Sequence, residues 1–224
     1  DFMGGVLNPF VAAAALLWLM RSVHIQKNEL NETRSVMMVQ AHTAEKQRFE
    51  GTFFALLSQL HQLSANINTI ETMMSPIRRI NGFFRNERRQ ERNFDETIDA
   101  SMNILRSFGP ALNTYFKVSH RLMLMIDEAP INRHLQDKSS VENSLFCERV
   151  EYANIFKSFL TEGLTALLAI YALKANEVEG KSLKSLLEKY EMFSDINTSS
   201  AEVFPELLST LREAFEPEAF GRPY

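Results

Sequence analysis

The chain has 224 residues, 45% of them apolar, and a formal net charge of −4. That length allows one or two domains with a real core, and the weak charge excludes a basic nucleic-acid coat and a charge-extended disordered chain. The single cysteine, Cys147, excludes an internal disulfide, and in SLFCERV it reads as a small core residue rather than a nucleophile. Only 8 Gly and 7 Pro interrupt the sequence, which favours long helices over many short strands.

The first element is DFMGGVLNPFVAAAALLWLM. Asn8 is a good N-cap and Pro9 a good first helical residue, so a helix is expected to start there. Residues 10–20 are eleven consecutive apolar positions. The helix over 9–23 would be roughly 22 Å long, short against the about 20 residues of a comfortable span. A signal peptide would carry its basic residues before the apolar run; here Asp1 precedes and Arg21, Lys27 and Arg34 follow. A soluble surface helix should show a polar stripe, which AAAALLWLM lacks. The segment therefore reads as a membrane helix, with Phe10, Leu16, Leu17, Trp18 and Leu19 in the apolar region and Trp18 near an interface. The basic residues after it place the following chain on the cytoplasmic side.

Residues 21–50 contain no Gly or Pro. Val23, Leu30, Met37 and Ala44 recur every seven positions on an otherwise polar sequence. This predicts a stalk helix over 24–48 that packs on a partner helix or on a second copy of the chain. From Phe49 the apolar pattern thickens: Phe53, Leu56, Leu57, Leu60, Leu63 and Ile67 follow helical spacing and point into a core. A loop is expected at SPIRRINGFFRNERRQERNF. Further helices are expected at about 95–107, 110–128, 140–176, 180–191 and 202–215, with Pro110 starting one and Gly180 ending another. Residues 217–224 read as a tail. The predicted class is all-α: a transmembrane segment over 1–23, the stalk, and a helical bundle over 49–216.

Recognisable chemistry is sparse. No GxxxxGK[ST], GxGxxG, GxSxG, HExxH or CxxC occurs. No Arg is followed by His at the spacing of the HEPN ribonuclease signature. His42 and Glu45 share a helix face but lack further ligands, and His61 reads as a hydrogen-bonded core histidine. No catalytic, cofactor or metal site is therefore assigned, and the chain is read as a non-enzyme. One cluster stands out: Arg78, Arg79, Arg85, Arg88, Arg89 and Arg92, with Phe83 and Phe84 between them. Guanidinium forks bind phosphates and aromatic rings stack on bases. Interleaved acids dilute the patch, so a solvated loop, a nucleic-acid or ribonucleoprotein contact, and a lipid-headgroup contact stay open.

Several blocks occur in a telling order. The first runs Gly4-Gly5, Leu7-Asn8-Pro9, an apolar helix, Gln-x-x-Glu-Leu and Thr33-Arg34. FFALLSQLH, LNTYFKVSHRLMLMID, VEYANIFKSFLTEGLTALLAIYAL and LKSLLEKYEMF follow. In this order the chain resembles the AbiC-like phage abortive infection proteins, among them two-span effectors of some retron systems. The resemblance implies a membrane-disrupting anti-phage effector in the bacterial inner membrane with a cytoplasmic helical domain. It also implies that residues 1–23 are the second of two spans. The implied partners are the membrane, a reverse transcriptase–RNA/DNA complex or another defence protein, and further copies of the chain. No catalytic residues and no cofactor come with it.

Overall fold

The computed structural model describes residues 2–67, 70–88, 94–130, 141–175, 177–178, 180–196 and 205–221; within these, the side chains of 2–9, 70–75, 87–88 and 141–147 fall outside the description. The described residues are helical, without a strand. They form α1 (Phe2–Ile67), α2 (Ile70–Arg88), α3 (Phe94–Ser107), α4 (Pro110–Asp127), α5 (Val141–Ser158), α6 (Glu162–Lys174), α7 (Leu183–Lys189) and α8 (Pro205–Ala214). An all-α class is thus borne out. The chain divides into two units, Asp1–Arg48 and Phe49–Tyr224.

The first unit is helix throughout its described residues. The expected start at Asn8 is corrected: α1 begins at Phe2, so Pro9 stands inside the helix. Its missing N–H leaves one carbonyl a turn earlier without its usual donor. One lost bond does not end the helix, which continues on both sides. Further along, hydroxyl side chains bond back to the preceding turn. Thr33 Oγ1 donates to the Glu29 carbonyl at 2.7 Å and Thr43 Oγ1 to the Val39 carbonyl at 2.8 Å. This satisfies them without breaking the ladder.

The second unit has a contiguous core. The end of α1 buries Phe53, Leu57 and Leu60. The expected loop around SPIRRINGFF is instead α2, with Pro76 inside it. Ile77, Ile80 and Phe84 sit three and four residues apart and are buried, so core burial of one face outweighs the bond lost at proline. Gly109 has φ +101° and hands over to Pro110 at the first turn of α4, as its sequence suggested.

The helix expected over 140–176 is two helices. The chain breaks at residues 159–161, and the axes of the flanking segments differ by 116°. Thr161 restarts the helix as an extended N-cap whose side chain accepts from Leu164 N at 3.4 Å. The break lets α6 run through the centre, in contact with α2, α3, α7 and α8. Leu164, Leu167, Leu168 and Ile170 are all buried, which accounts for a helix apolar on every side. At the crossing with α2, a Cβ on Gly163 would collide with Ile77 Cδ1.

The expected tail is also packed as far as Phe220. Pro217–Phe220 is a 3-10 turn with Ala219 and Phe220 buried, and Phe193 N donates to the Ala219 carbonyl at 2.9 Å.

Candidate functional site

Three features are candidates: the apolar start of α1, the arginine face of α2, and a polar node between α4 and α7. In the first, Phe10, Leu16, Leu17, Trp18 and Leu19 are all exposed, Trp18 at 74%. Among the described residues, however, no single helix is long and apolar enough to cross a membrane. The expected transmembrane span over 1–23 is therefore not supported by the described residues. The eleven apolar residues at 10–20 give roughly 16 Å of helix against a hydrocarbon core of about 30 Å. Any longer window downstream takes in Arg21, His24 and Lys27. Two segments, Glu148–Ser158 and Glu162–Lys174, are together apolar enough, but they are bent by 116°. The second of them is core.

The α2 candidates divide by position. Arg78, Arg79 and Arg85 are exposed on the face opposite Ile77, Ile80 and Phe84. They form no ion pair among the described residues. The Arg88 side chain, Arg89 and Arg92 lie outside the described residues. Arg79, Gly82, Phe83, Arg85, Asn86 and Ile104 line an open groove of about 660 Å³. The expected interleaving with aromatics is half met: Phe83 reaches the groove, while Phe84 is core.

The polar node centres on Asp127, whose side chain is only 10% exposed. Its Oδ2 pairs with Lys181 Nζ at 2.7 Å, and its Oδ1 accepts from Tyr190 OH at 2.9 Å and from Lys189 Nζ. Burial alone would raise this carboxyl. The hydrogen bonds from Lys181, Lys189 and Tyr190 outweigh it and hold Asp127 well below the usual carboxylate range. Lys181 is pushed up in return, chiefly by its bond to Asp127, and it also meets Glu128 at 3.4 Å. Gly180, with φ +75°, makes the turn that brings Lys181 back beside Val178. The node therefore ties the end of α4 to α7.

A second polar group lies within α4. Tyr115, Ser119 and His120 are buried, and Tyr115 OH, Ser119 Oγ and His120 Nε2 have no well-formed hydrogen bond. Burial pushes His120 down, favouring its uncharged form. His61, expected in a core, is on the surface with its ring edge-on to Phe159 at 6.1 Å. Among the described residues no group of three or more His, Cys, Asp or Glu could hold a metal ion. The Cys147 side chain lies outside them.

Two blocks that carried the resemblance, LMLMID and LKSLLEKYEMF, thus meet at the Asp127 node. Residues 109–201 match the family model described as "Putative phage abortive infection protein". Over these residues the chain carries the abortive infection family's pattern. The resemblance read from the sequence is borne out there; the matched stretch is under half of the chain and runs from Gly109 past α7. It holds the whole Asp127 node and the buried Tyr115–Ser119–His120 group, and it leaves out α1 and the arginine face. No curated protein and no solved structure matches the chain. Sequence reasoning quoted Asp127 but gave no role to Lys181, Lys189 or Tyr190. Their partner lies 54 to 63 positions earlier, and no local spacing signals such a pairing.

Proposed function

We propose that this chain is a non-catalytic effector of anti-phage defence of the abortive infection type, acting on the bacterial inner membrane through the start of α1. The match over residues 109–201 supports the defence role and is the observation that carries this reading. The membrane reading is supported by residues 2–20, nineteen positions without a charge. They are followed by Arg21 and include exposed Leu16, Leu17 and Trp18. In this reading Trp18 and Arg21 sit at the cytoplasmic interface and the Phe49–Tyr224 unit lies in the cytoplasm.

The exposed Arg78, Arg79 and Arg85 of α2, which form no ion pair among the described residues, favour a second reading, in which the chain is a membrane-anchored sensor or scaffold. It would then bind, restrain or recruit a nucleic-acid-processing partner such as a reverse transcriptase–RNA/DNA complex. Both readings predict that cells expressing the chain with its neighbouring genes restrict phage, and that infected cells die before phage is released. The test is plaque formation together with survival of infected cells. Equal plaque numbers with and without the chain would refute the defence role.

A further inference from the structure

Beyond its apolar start, α1 carries a stripe whose order goes further than its apolar residues. With Val23, Leu30, Met37 and Ala44 at position a of a seven-residue repeat, position d falls on Gln26, Thr33, Gln40 and Gln47. Alternating steps of three and four keep these positions on one side of a helix. No charged residue of 21–48 falls on either position. The charges that flank the stripe are sorted by sign. Position e carries Lys27, Arg34 and Arg48, with Ala41 between them. Position g carries Glu29 and otherwise the uncharged Ser22, Val36 and Thr43. Val23, Leu30 and Met37 are 56%, 51% and 60% exposed, so the chain by itself leaves the stripe uncovered.

We propose that a second copy of this chain covers the stripe, lying parallel to the first and in register. The charge pattern selects this occupant. In a parallel pair each g residue faces the e residue five positions later on the other copy. Glu29 then faces Arg34, and two-fold symmetry repeats the pair. The other g–e facings, 22 on 27, 36 on 41 and 43 on 48, bring no like charges together. In an antiparallel pair e faces e, so the basic flanks would lie against each other and repel. A lipid surface fits the stripe poorly, because Gln26, Gln40 and Gln47 would lose hydrogen-bond partners in hydrocarbon. Facing amides on two copies can bond each other, since each has both donors and an acceptor. The polar d positions lower the affinity and hold the register. The pairing concerns residues 23–48 and stands whether or not residues 2–20 enter a membrane.

The test is disulfide trapping of the purified full chain in mild detergent, with Cys147 replaced by Ala. Val23→Cys and Met37→Cys lie roughly 21 Å apart along the helix, and only a parallel, in-register pair lets each meet its own copy. Both should give a covalent dimer on mild oxidation. Ser35→Cys, on the opposite face, should give at least tenfold less. All three positions are exposed, and the melting temperature checks that the fold is kept. Light scattering across a dilution series then gives the dissociation constant. Glu29→Arg should weaken self-association at least fivefold. Adding Arg34→Glu should return it to within twofold of wild type, because the swap restores both pairs. A monomer at every concentration, trapping at only one of residues 23 and 37, equal trapping in Ser35→Cys, or a swap that rescues nothing would each overturn the proposal.

Discussion

The two units use the same apolar residue types for opposite ends. In the Phe49–Tyr224 unit Phe53, Phe156, Leu167 and Phe193 are fully buried. In the Asp1–Arg48 unit Leu17, Trp18, Val23, Leu30 and Met37 are exposed. A buried phenylalanine is explained by the core it fills. An exposed row of leucines on a helix is explained only by something outside the chain. The first unit should therefore tolerate changes in stability terms and fail in function, while the second should do the reverse.

The largest effect that could break this contrast is in the core. Phe156→Ala removes a fully buried ring from α5 and should cost about 3–5 kcal/mol in chemical denaturation. Leu17→Ala should leave the same transition unmoved. A matching loss in both would erase the distinction.

Asp127→Asn should cost about 2 kcal/mol at pH 7, because two ammonium groups and a phenol lose a charged acceptor. Lys181 and Lys189 are 34% and 43% exposed, and solvent screening keeps the figure modest. The sign with pH follows from the depressed carboxyl. Its contribution is present above the unfolded value of about 3.9 and is lost as pH falls through the lower folded value. The gap between wild type and Asp127→Asn should therefore persist at pH 5–7 and close in strong acid, as followed by urea melts at each pH.

Gly163→Ala should cost about 1–2 kcal/mol, since the new methyl meets Ile77 Cδ1. Shortening the neighbour in an Ile77→Val background should recover part of it, which a double-mutant cycle measures. The smallest stability effect is on the arginine face. Arg79→Glu with Arg85→Glu should shift stability by less than about 0.5 kcal/mol. If the second functional reading holds, the same pair should abolish co-purification of the partner from cells carrying the whole operon.

Much of the second unit was legible, and the exceptions have physical causes. Pro110 after Gly109 marked α4 because both residues have local conformational rules. Pro76 and the surrounding charges hid α2, although Ile77, Ile80 and Phe84 already carried its spacing. The bend between α5 and α6 was hidden because no Gly or Pro marks residues 159–161; Thr161 ahead of Glu162 was the available cap signal. The Asp127 node was not legible, since long-range pairing leaves no periodic trace. The first unit shows the opposite limit: its helix was expected, but what covers its exposed face depends on surroundings that the chain does not contain.

The account rests on the start of α1 acting on a membrane. The direct test is membrane potential, read by dye fluorescence in phage-challenged cells carrying the whole operon, wild type against Leu17→Arg. Both forms must be expressed and located at the membrane. A charge added to the apolar stretch opposes insertion, by up to about 2.5–3.5 kcal/mol at the helix centre and less toward the interface. Depolarisation and protection in the wild type, with both lost in Leu17→Arg, is the predicted result. Protection without depolarisation, or equal depolarisation in the variant, would contradict it.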